Sequence, residues 1–568
     1  MLIFSCLFPG SEDWLKAGCK PMDGRLIIEN KRVETQDKIE SLNPATLNPV
    51  GEICLASVKE CRQAIQAAEK AFPSWKELPH RDKKKIFNRA KEILLQRKSE
   101  VAGLVAAEKG TPFPESLSIE VQGSLEALDY YGRNLKKVCQ PKKMKHQVIL
   151  FSHKKSHFRF QPLGVTLIIS PWNFPFLIPF CDILSAISSG NTVVFRPSTS
   201  TPLTGLLIGD ILIQAGLPPG VVNIVSCRVP QAEEMILSPE FQTILFTGSV
   251  ATGKRITELA SRNLTHVVLE LGGKDPMIVL KDADLERASR GAVWAAFMNT
   301  GQSCGSVERL YVAREIADDF IERVLRQVRE LKVGNPEDPG VDIGPMTILS
   351  QLKVVEEHVE DAVEKGAQVL YGGTRIKEFP GYFFHPTLLS GVDHSMKIMR
   401  EETFGPVLPI MIFSEPEEAV SLANDSQYGL TASVWTRNKK MAAWMAERIE
   451  AGTVTVNDHM FSFAEPGAIW GGIKQTGRGY SHGPYGIQEM VNIKFISHDF
   501  SRKKTQTWWY PYSTDFPKLL EKSLVFFHHH RRRKKIKSLF SLLRYSSTIQ
   551  AGSPIFNFIK NLPKIFRK

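Results

Sequence analysis

Short apolar runs alternate with helix-like stretches along the middle of this 568-residue chain. Four of these runs are each bounded by Gly, Pro or Asn: residues 165–169, 192–195, 221–225 and 243–246. Stretches with helical periodicity, at residues 203–215 and 254–261, lie between them. Continuous apolar runs of this length are typical of strands buried on both faces, and their alternation with helices indicates a parallel sheet. The sequence therefore predicts an α/β fold.

A second set of α/β elements follows the first. It begins with the apolar run at 276–280 and continues through a helical stretch at 283–297 and a strand-like segment at 310–312. Amphipathic helices are also expected ahead of the first sheet, at residues 58–72 and 81–108. Because the chain is longer than one hydrophobic core usually organises, we expect two or three domains.

The net charge of +12 is concentrated at the end of the chain. Residues 501–568 carry 16 basic and 2 acidic residues, whereas the preceding 500 residues carry 56 basic and 58 acidic residues. A nearly neutral body argues against a nucleic-acid-binding protein, in which basic residues cluster on the folded domain. The basic excess is a property of the tail, and nucleic acid is not an expected partner.

The eight cysteines are scattered without a C-x-x-C pair or regular spacing. This pattern argues against a zinc site and against a disulfide framework, so we expect no metal and a reducing, cytoplasmic location. The apolar start at residues 1–8 lacks a basic leading region and is followed by Pro9, Gly10 and acidic residues, which argues against a signal peptide. No run of 18 apolar residues predicts a membrane span.

Three short segments marked by Gly or Pro carry the groups needed to make and break a thioester. Cys304 ends Gly-Gln-Ser-Cys, Glu270 begins Glu-Leu-Gly-Gly-Lys, and Asn173 is central in Pro-Trp-Asn-Phe-Pro. A thiolate attacks a carbonyl carbon, a carboxamide donates to the oxyanion that forms, and a carboxylate activates water. Each residue also has an ordinary explanation: Cys304 as a small buried hydrophobe, Asn173 as a turn residue and Glu270 as an ion-paired carboxylate.

These three segments, in this order, resemble the aldehyde dehydrogenase superfamily over residues 33–497. The resemblance implies a Rossmann-like parallel-sheet cofactor domain, a second α/β catalytic domain and a β-arm for oligomerisation. The implied boundaries are 22–146 with 161–270 for the cofactor domain, 271–472 for the catalytic domain, and 147–160 with 480–499 for the arm. In the family such arms pair neighbouring subunits, so a homodimer or homotetramer is implied.

The resemblance also implies oxidation of an aldehyde to an acid, with Cys304 as nucleophile, Glu270 as general base and Asn173 as oxyanion donor. The implied cofactor is NAD or NADP. Further positions match cofactor-binding positions of the family: Ile169, Trp172, Arg196, Ser198, Thr199, Gly248, Ser249, Leu271, Glu402 and Phe404. The loop 248–253, between a predicted strand and a helix, would bring backbone N–H groups to the pyrophosphate, although an ordinary strand-to-helix turn has the same composition.

Two departures from the family pattern lie side by side. Where the family commonly has Lys-Pro-Ser-Glu, this chain has Arg196, Pro197, Ser198 and Thr199. Arg keeps the charge of Lys but not its compact geometry. The family Glu binds the ribose 2′-hydroxyl and repels a 2′-phosphate, and Thr199 cannot repel it. The choice between NAD and NADP therefore stays open.

The resemblance places residues 174–181 along the substrate channel, and the composition of this segment indicates the substrate class. Residues 174–181 contain no cation that would hold a second carboxylate, Ser303 beside the nucleophile is small, and Met460, Phe461 and Trp470 lie in the segment that closes the channel mouth. This composition favours an apolar aldehyde, aliphatic or aromatic, over a dicarboxylic semialdehyde. An apolar stripe of this kind is equally typical of a protein core.

The tail after residue 499 leaves the family pattern. The basic run 531–535 is followed by apolar residues at helical spacing, both at 536–543 and at 555–566. A basic amphipathic helix of this composition lies on anionic lipid, which would make the protein peripheral at a membrane. A disordered or subunit-packing tail is the alternative.

Two rival functions remain open at this point. A relative that passes the acyl group to coenzyme A would use the same cysteine, although Glu270 favours water as the acceptor. A non-catalytic scaffold or lipid-binding protein would use the tail and not the thiol. The presence of thiol, carboxylate and amide together argues against the second rival.

Overall fold

The computed structural model describes residues 22–148, 151–500, 504, 506, 508–512, 514 and 516–544. The chain divides into two compact units, with boundaries after residues 138, 161 and 492. The larger unit holds the segments before 139 and between 162 and 492, and the smaller unit holds the remainder.

Strands in the described residues form two large and two small sheets. In chain order they are β1 (Leu26–Ile28), β2 (Lys31–Val33), β3 (Lys38–Leu42), β4 (Pro49–Cys54), β5 (Lys142–Met144), β6 (Lys155–Pro162), β7 (Val165–Ile169), β8 (Thr192–Arg196), β9 (Val222–Ile224), β10 (Phe241–Thr247), β11 (His266–Glu270), β12 (Asp275–Val279), β13 (Val307–Ala313), β14 (Gln368–Tyr371), β15 (Thr387–Ser390), β16 (Val407–Phe413), β17 (Thr431–Trp435), β18 (Thr453–Val456), β19 (Gly477–Arg478) and β20 (Val491–His498).

The helices of the described residues lie mostly between these strands. They are α1 (Val58–Glu77), α2 (His80–Gln96), α3 (Lys98–Lys109), α4 (Phe113–Glu115), α5 (Gln122–Cys139), α6 (Leu177–Ser188), α7 (Pro202–Gln214), α8 (Val229–Ile236), α9 (Val250–Ala260), α10 (Leu285–Phe297), α11 (Ala317–Glu330), α12 (Leu349–Glu364), α13 (Lys397–Arg400), α14 (Pro416–Asn424), α15 (Lys439–Ala446), α16 (Phe461–Ala464), α17 (Gly483–Glu489), α18 (Phe516–His528) and α19 (Arg532–Arg544). A π-helical turn, Ser116–Val121, joins α4 to α5.

The first large sheet has eight strands in the order β19, β11, β10, β7, β8, β9, β1, β2. Its five central strands, from β11 to β9, are parallel, and antiparallel strands close both edges. Every residue of β7 is buried, as expected for a strand covered by helices on both faces. The carboxyl ends of these parallel strands share one edge of the sheet, which is where ligands bind in open α/β sheets.

The second large sheet has seven strands in the order β14, β15, β16, β13, β12, β17, β18, and only the β14–β15 pair is antiparallel. Strand β12 begins five residues after β11 ends, so the chain passes from one sheet to the other through residues 271–274. Both sheets belong to the larger unit. The expectation of an α/β fold with two parallel sheets is confirmed.

The two small sheets belong to different units. Strands β3 and β4 form an antiparallel pair in the larger unit. Strands β20, β6 and β5 form a three-stranded sheet in the order given, for the most part in the smaller unit. The segments predicted to form an arm, 147–160 and 480–499, contribute β6 and β20 to this sheet.

Most predicted elements occur within a few residues of their expected bounds. The run at 165–169 matches β7 at both ends, and the helix expected at 254–261 begins earlier, because Ser249 caps α9 by accepting the N–H of Thr252 at 3.3 Å. Within the helical stretch expected at 81–108 the structure has a break that the pattern did not predict, between His80–Gln96 and Lys98–Lys109. Arg97 ends the first helix with a non-helical ψ of 12°, and its guanidinium binds Glu100 in the first turn of the next.

No helix among the described residues is long and apolar enough to cross a membrane. Helix α19 covers residues 536–543, where an amphipathic helix was predicted, and α18 precedes it in the tail. The second predicted amphipathic stretch, 555–566, lies outside the described residues.

Candidate active site

Cys304, Glu270 and Asn173 line one cavity of about 270 Å³ at the junction of the two large sheets. Each comes from a different element: Glu270 ends β11, Asn173 follows β7, and Cys304 lies in the turn before β13. Nine of the predicted site residues line this cavity, namely Trp172, Asn173, Gly248, Ser249, Glu270, Leu271, Cys304, Glu402 and Phe404. The structure thus brings the three reactive groups together.

The turn that carries Cys304 has an unusual backbone. Asn299, Thr300 and Gly301 have φ values of 57°, 58° and 68°, three successive residues in the left-handed region. At Gly301 a Cβ atom would stand 2.2 Å from the carbonyl oxygen of Gly405, so no larger residue fits there. Cys304 is half-buried, whereas its neighbours Ser303 and Gly305 are buried. The turn therefore presents the Cys304 sulfur to the cavity, while the residues on either side of it stay buried.

A second glycine sets the distance between the Glu270 loop and the nucleophile. A Cβ atom on Gly273 would stand 2.2 Å from the carbonyl oxygen of Cys304. On Gly272 it would stand 2.5 Å from Oε2 of Glu402. The Gly-Gly pair after Glu270 is required because backbone and carboxylate approach closer than any side chain permits.

The Asn173 carboxamide lies against the nucleophile turn. It is 3% exposed, and its Nδ2 donates to the carbonyl oxygen of Gln302 at 3.1 Å. This bond uses one of its two N–H groups, so the amide retains a second donor for an oxygen in the cavity. Together with the backbone N–H of Cys304, it is suited to stabilise an oxyanion.

The carboxylate of Glu270 is buried without a hydrogen-bond partner in the described part of the chain. The residue is 6% exposed, and neither Oε1 nor Oε2 is hydrogen-bonded. Burial raises its pKa well above the usual value, the nearby charge of Asp182 raises it further, and the adjacent Ser481 lowers it by less. A buried, unpaired carboxylate with a raised pKa is a candidate general base.

The thiol of Cys304 favours its neutral form. Burial raises its pKa well above the usual value, and the carboxylates of Glu402, Asp275 and Glu270 raise it further. Because the thiolate is the nucleophile, this site requires proton removal during the reaction.

The other predicted cavity residues come from loops beside the first sheet and from the loop before β16. Trp172 and Phe404 contact edge to face, with ring centroids 5.5 Å apart. Oε1 of Glu402 accepts the N–H of Gly273 at 2.8 Å, which ties the Glu402 loop to the Glu270 loop. Ser249 lies at the N-terminus of α9, where free N–H groups favour an anion.

Four predicted cofactor residues do not line the cavity. Ile169 and Arg196 pair across the parallel strands β7 and β8 at their carboxyl ends. Arg196 donates from Nη2 to the carbonyl oxygen of Cys227 at 3.0 Å, and Oγ of Ser198 accepts the N–H of Ser200 at 3.2 Å. Thr199 follows in the same loop, so these residues share the sheet edge that leads to the cavity.

Unpartnered polar atoms gather at this edge. Oγ of Ser170, Nε of Arg196 and Oγ of Ser226 have no hydrogen-bond partner among the described residues, and they follow three neighbouring parallel strands, β7, β8 and β9. Buried polar atoms without partners carry a free-energy cost, which a polar ligand relieves. This edge therefore fits the ribose and phosphate groups of a dinucleotide.

Several residues of the site were not predicted. Gln351 and Val354 on α12 line the cavity, and Gln351 donates from Nε2 to the carbonyl oxygen of Thr403 at 2.8 Å. Lys274, fully buried, pairs with Glu308 at 2.6 Å. Glu308 in turn accepts the N–H group of Thr403 at 2.7 Å and that of Phe404 at 2.8 Å. No local sequence signal marks these contacts, because they join residues 34 and 95 positions apart.

Comparison with known proteins agrees with this geometry. The model of the aldehyde dehydrogenase family matches residues 32–496. A D-glyceraldehyde dehydrogenase (NADP(+)) of Thermoplasma acidophilum is 35% identical over 85% of this chain and 97% of its own length. A mitochondrial succinate-semialdehyde dehydrogenase of Rattus norvegicus is 35% identical over 80% of this chain and 87% of its own. Among solved structures, PnpE of Pseudomonas sp. WBC-3 in complex with nicotinamide adenine dinucleotide has a TM-score of 0.82 at 30% identity, covering 86% of this chain and all of that one.

Proposed function

This chain belongs to the aldehyde dehydrogenase family, and from that premise we propose that Cys304, Glu270 and Asn173 carry its chemistry. The protein is an NAD(P)-dependent oxidoreductase that converts an aldehyde to the carboxylic acid. The observation that carries the assignment of roles is that the thiol, the unpaired carboxylate and the carboxamide line the same cavity.

In the proposed mechanism, the thiol of Cys304 releases its proton to solvent in the cavity as the sulfur attacks the aldehyde carbon, and a thiohemiacetal forms. The oxyanion accepts hydrogen bonds from the Asn173 amide and the Cys304 N–H. When bound, NAD(P)⁺ supplies the acceptor for the hydride that leaves this carbon. The thioester that remains is hydrolysed by water, from which Glu270 takes a proton. The C–S bond then breaks, the acid departs, and the proton held by Glu270 returns to the sulfur of Cys304.

For the cofactor, we propose that Glu402, Phe404 and Trp172 hold the nicotinamide end, and that Gly248 and Ser249 face the pyrophosphate. Their place in the cavity supports this assignment. Arg196, Ser198, Thr199 and Ile169, at the adjoining sheet edge, would contact the adenosine end. Thr199 has no negative charge, so both NAD and NADP are expected to bind.

The proposed substrate is an apolar aldehyde. Phe174 lies beside Phe463 with ring centroids 6.1 Å apart, and Phe463 contacts Trp470 at 4.9 Å. The two histidines near this aromatic group, His459 and His482, are buried, and burial lowers the pKa of each to about 4. Both are therefore uncharged at neutral pH and would not hold a second carboxylate.

A panel of aldehydes tested with each nucleotide checks these proposals. We expect kcat/KM for aliphatic and aromatic aldehydes to exceed that for succinic semialdehyde by about tenfold or more, because an unpaired carboxylate is costly in an apolar channel. We expect turnover with both NAD and NADP. The assay follows absorbance of the reduced nucleotide, and chromatography identifies the free acid as product. A preference for succinic semialdehyde would contradict the substrate proposal while leaving the reaction class intact.

Subunit assembly and the division into domains stay proposals. We propose a cofactor-binding domain at 22–146 and 161–270, a catalytic domain at 271–472, and a homodimer or homotetramer formed through the arm. Strand β20 is an edge strand of its small sheet, and Ile493 and Phe495 on it are half exposed. An apolar edge strand is suited to pair with another chain.

For the tail we propose contact with an anionic phospholipid surface. On α18 the exposed apolar residues Leu520, Leu524 and Phe527 recur at helical spacing, and on α19 Ile536 and Phe540 do so. Exposed Arg and Lys residues at 531–534 lie between these two sets. Apolar residues that enter the lipid interface beside basic residues that meet phosphate groups are typical of membrane-surface helices.

Reversing two tail charges tests this contact. We expect Arg532→Glu with Arg533→Glu to weaken binding of the full chain to vesicles of phosphatidylserine and phosphatidylcholine by about tenfold or more, since each basic residue contributes on the order of 1 kcal/mol at an anionic surface. Sedimentation with vesicles measures binding. Turnover by the variant should equal that of wild type. Light scattering should give the mass of two or four chains for wild type and variant alike.

A matched charge reversal on α2, Arg81→Glu with Lys85→Glu, is the control, since both side chains are mostly exposed. It should leave vesicle binding unchanged. Equal binding by wild type and the tail variant would show that the tail does not meet lipid.

A further inference from the structure

A buried polar group lies behind the nucleophile turn, and the reaction as described makes no use of it. Its centre is Asn299, which is fully buried and has a φ of 57°. The side chain donates from Nδ2 to two carbonyl oxygens, that of Asn173 at 2.9 Å and that of Gln302 at 3.0 Å. One carboxamide therefore joins the backbone of the oxyanion donor to the backbone of the nucleophile turn.

Lys109 determines which way this carboxamide faces. Its Nζ donates to Oδ1 of Asn299, and Oγ1 of Thr111 donates to the same oxygen at 2.9 Å. With two donors on Oδ1, the NH₂ group must face the carbonyl oxygens of Asn173 and Gln302. The reversed orientation would set an oxygen against two acceptors and an NH₂ group against two donors.

The same group holds a strained backbone in place. Asn299, Thr300 and Gly301 are all in the left-handed region, which persists only where surrounding contacts enforce it. The N–H of Asn299 donates to Oε1 of Glu115 at 2.5 Å, and Lys109 also reaches the Asn299 carbonyl oxygen at 3.4 Å. Backbone and side chain of Asn299 are thus fixed by two residues that precede the turn by more than 180 positions.

Lys109 is fully buried, and acidic side chains lie near it. It has no exposed surface and ends α3, where the carbonyl groups of the last turn favour a cation. Burial lowers the pKa of Lys109 to about 7, and the charges of Glu115 and Glu120 oppose this shift. Glu120 in turn accepts the N–H groups of Phe176 at 3.2 Å and Leu177 at 2.6 Å. A buried lysine is costly unless it is paired, so its place here calls for a role.

We propose that Lys109 is a positioning residue for aldehyde oxidation: through Asn299 it holds the carboxamide of Asn173 in register with the sulfur of Cys304. The proposal rests on the proposed function, because it concerns the geometry of the same two groups. Lys109 touches neither substrate nor cofactor. Its removal should lower the rate of the chemical step and leave the affinity for substrate and cofactor unchanged.

A double-mutant cycle on turnover tests the proposal. We expect Lys109→Met to lower kcat about 100-fold with KM unchanged, since a displacement of about 1 Å costs this much. We expect Asn173→Ala to lower kcat by about 10² to 10³, as loss of an oxyanion donor does. Because both changes act on one interaction, the double variant should be at least about tenfold more active than the product of the single losses predicts.

The control is Lys83→Met, which removes another buried lysine of the larger unit, one that packs over the ring of Trp75 at 5.0 Å. It should leave kcat within about twofold of wild type. Cofactor binding, followed by fluorescence, should be equal in all variants. If Lys109→Met does not fold, Lys109→Gln takes its place in the cycle, because the amide keeps one donor for Asn299.

Independent losses, in which the double variant equals the product of the single variants, would overturn the proposal and leave Lys109 a purely structural residue. A change in KM or cofactor affinity equal to the change in kcat would do the same. Failure of the wild-type protein to oxidise any aldehyde would instead reject the proposed function. The two failures are therefore distinguishable.

Discussion

Cys304→Ala is expected to abolish formation of reduced nucleotide from any aldehyde, with a loss of kcat of about 10⁴-fold or more. Without the sulfur no thiohemiacetal forms, and neither Glu270 nor Asn173 offers an alternative nucleophile for the carbonyl carbon. Absorbance of the reduced nucleotide measures the loss. The effect is the largest that a single substitution in this chain should produce, because every later step requires the bond to this sulfur.

The binding of the cofactor separates this result from unfolding. Ala fits the space of Cys304, so the variant should bind NAD and NADP with affinities within about twofold of wild type. Cys54→Ala, which removes a buried thiol at the end of β4 outside the cavity lining, is the matched control and should retain turnover. Turnover by Cys304→Ala above about one hundredth of the wild-type rate would reject the assignment of the nucleophile.

Glu270→Gln is expected to separate the two halves of the reaction. The first turnover should still release about one reduced nucleotide per active site, because attack and hydride loss precede the need for activated water. The steady-state rate should then fall by about 10² to 10⁴, the usual contribution of a general base. Stopped-flow absorbance distinguishes the initial burst from the slow phase that follows it.

The pH dependence follows from the buried state of the same carboxylate. Burial and the charge of Asp182 raise the pKa of Glu270, so protonation removes the base at a higher pH than for an exposed glutamate. The steady-state rate of wild type should therefore fall as pH is lowered through this raised pKa. In Glu270→Gln that fall should be absent. A wild-type steady-state rate in the variant would show that another group activates the water.

The sequence predicted the fold well where residues close together in the sequence determine the local secondary structure. Strand β7 is recognisable because four of its five residues are apolar, the fifth is the β-branched Thr166, and the run lies between a glycine and a serine. The break between α2 and α3 was not predicted, because Arg97 and its neighbours have good helix propensity. The break lies at the backbone of Arg97, whose side chain pairs with Glu100 in the next helix, and periodicity does not reveal such a break.

The site was predictable only in part. The motifs around Cys304, Glu270 and Asn173 indicated which residues meet, and the structure places them at one cavity. Their roles, and those of the cofactor positions, stay predictions. The supporting residues Lys109 and Lys274 were not found, since each acts on a partner that the fold alone brings near. A lysine in a helix has no local signal that distinguishes a buried cation from a solvated one.

The close approach of Gly273 to the carbonyl of Cys304 has a consequence for how this crevice can evolve. Where one main-chain segment packs directly on another, the van der Waals radii of backbone atoms set the distance between them, and substitutions of neighbouring side chains do not change those radii. Natural or laboratory variants with other side chains around the cavity can therefore accept substrates of different shape, while the distance between the Glu270 loop and Cys304 stays the same.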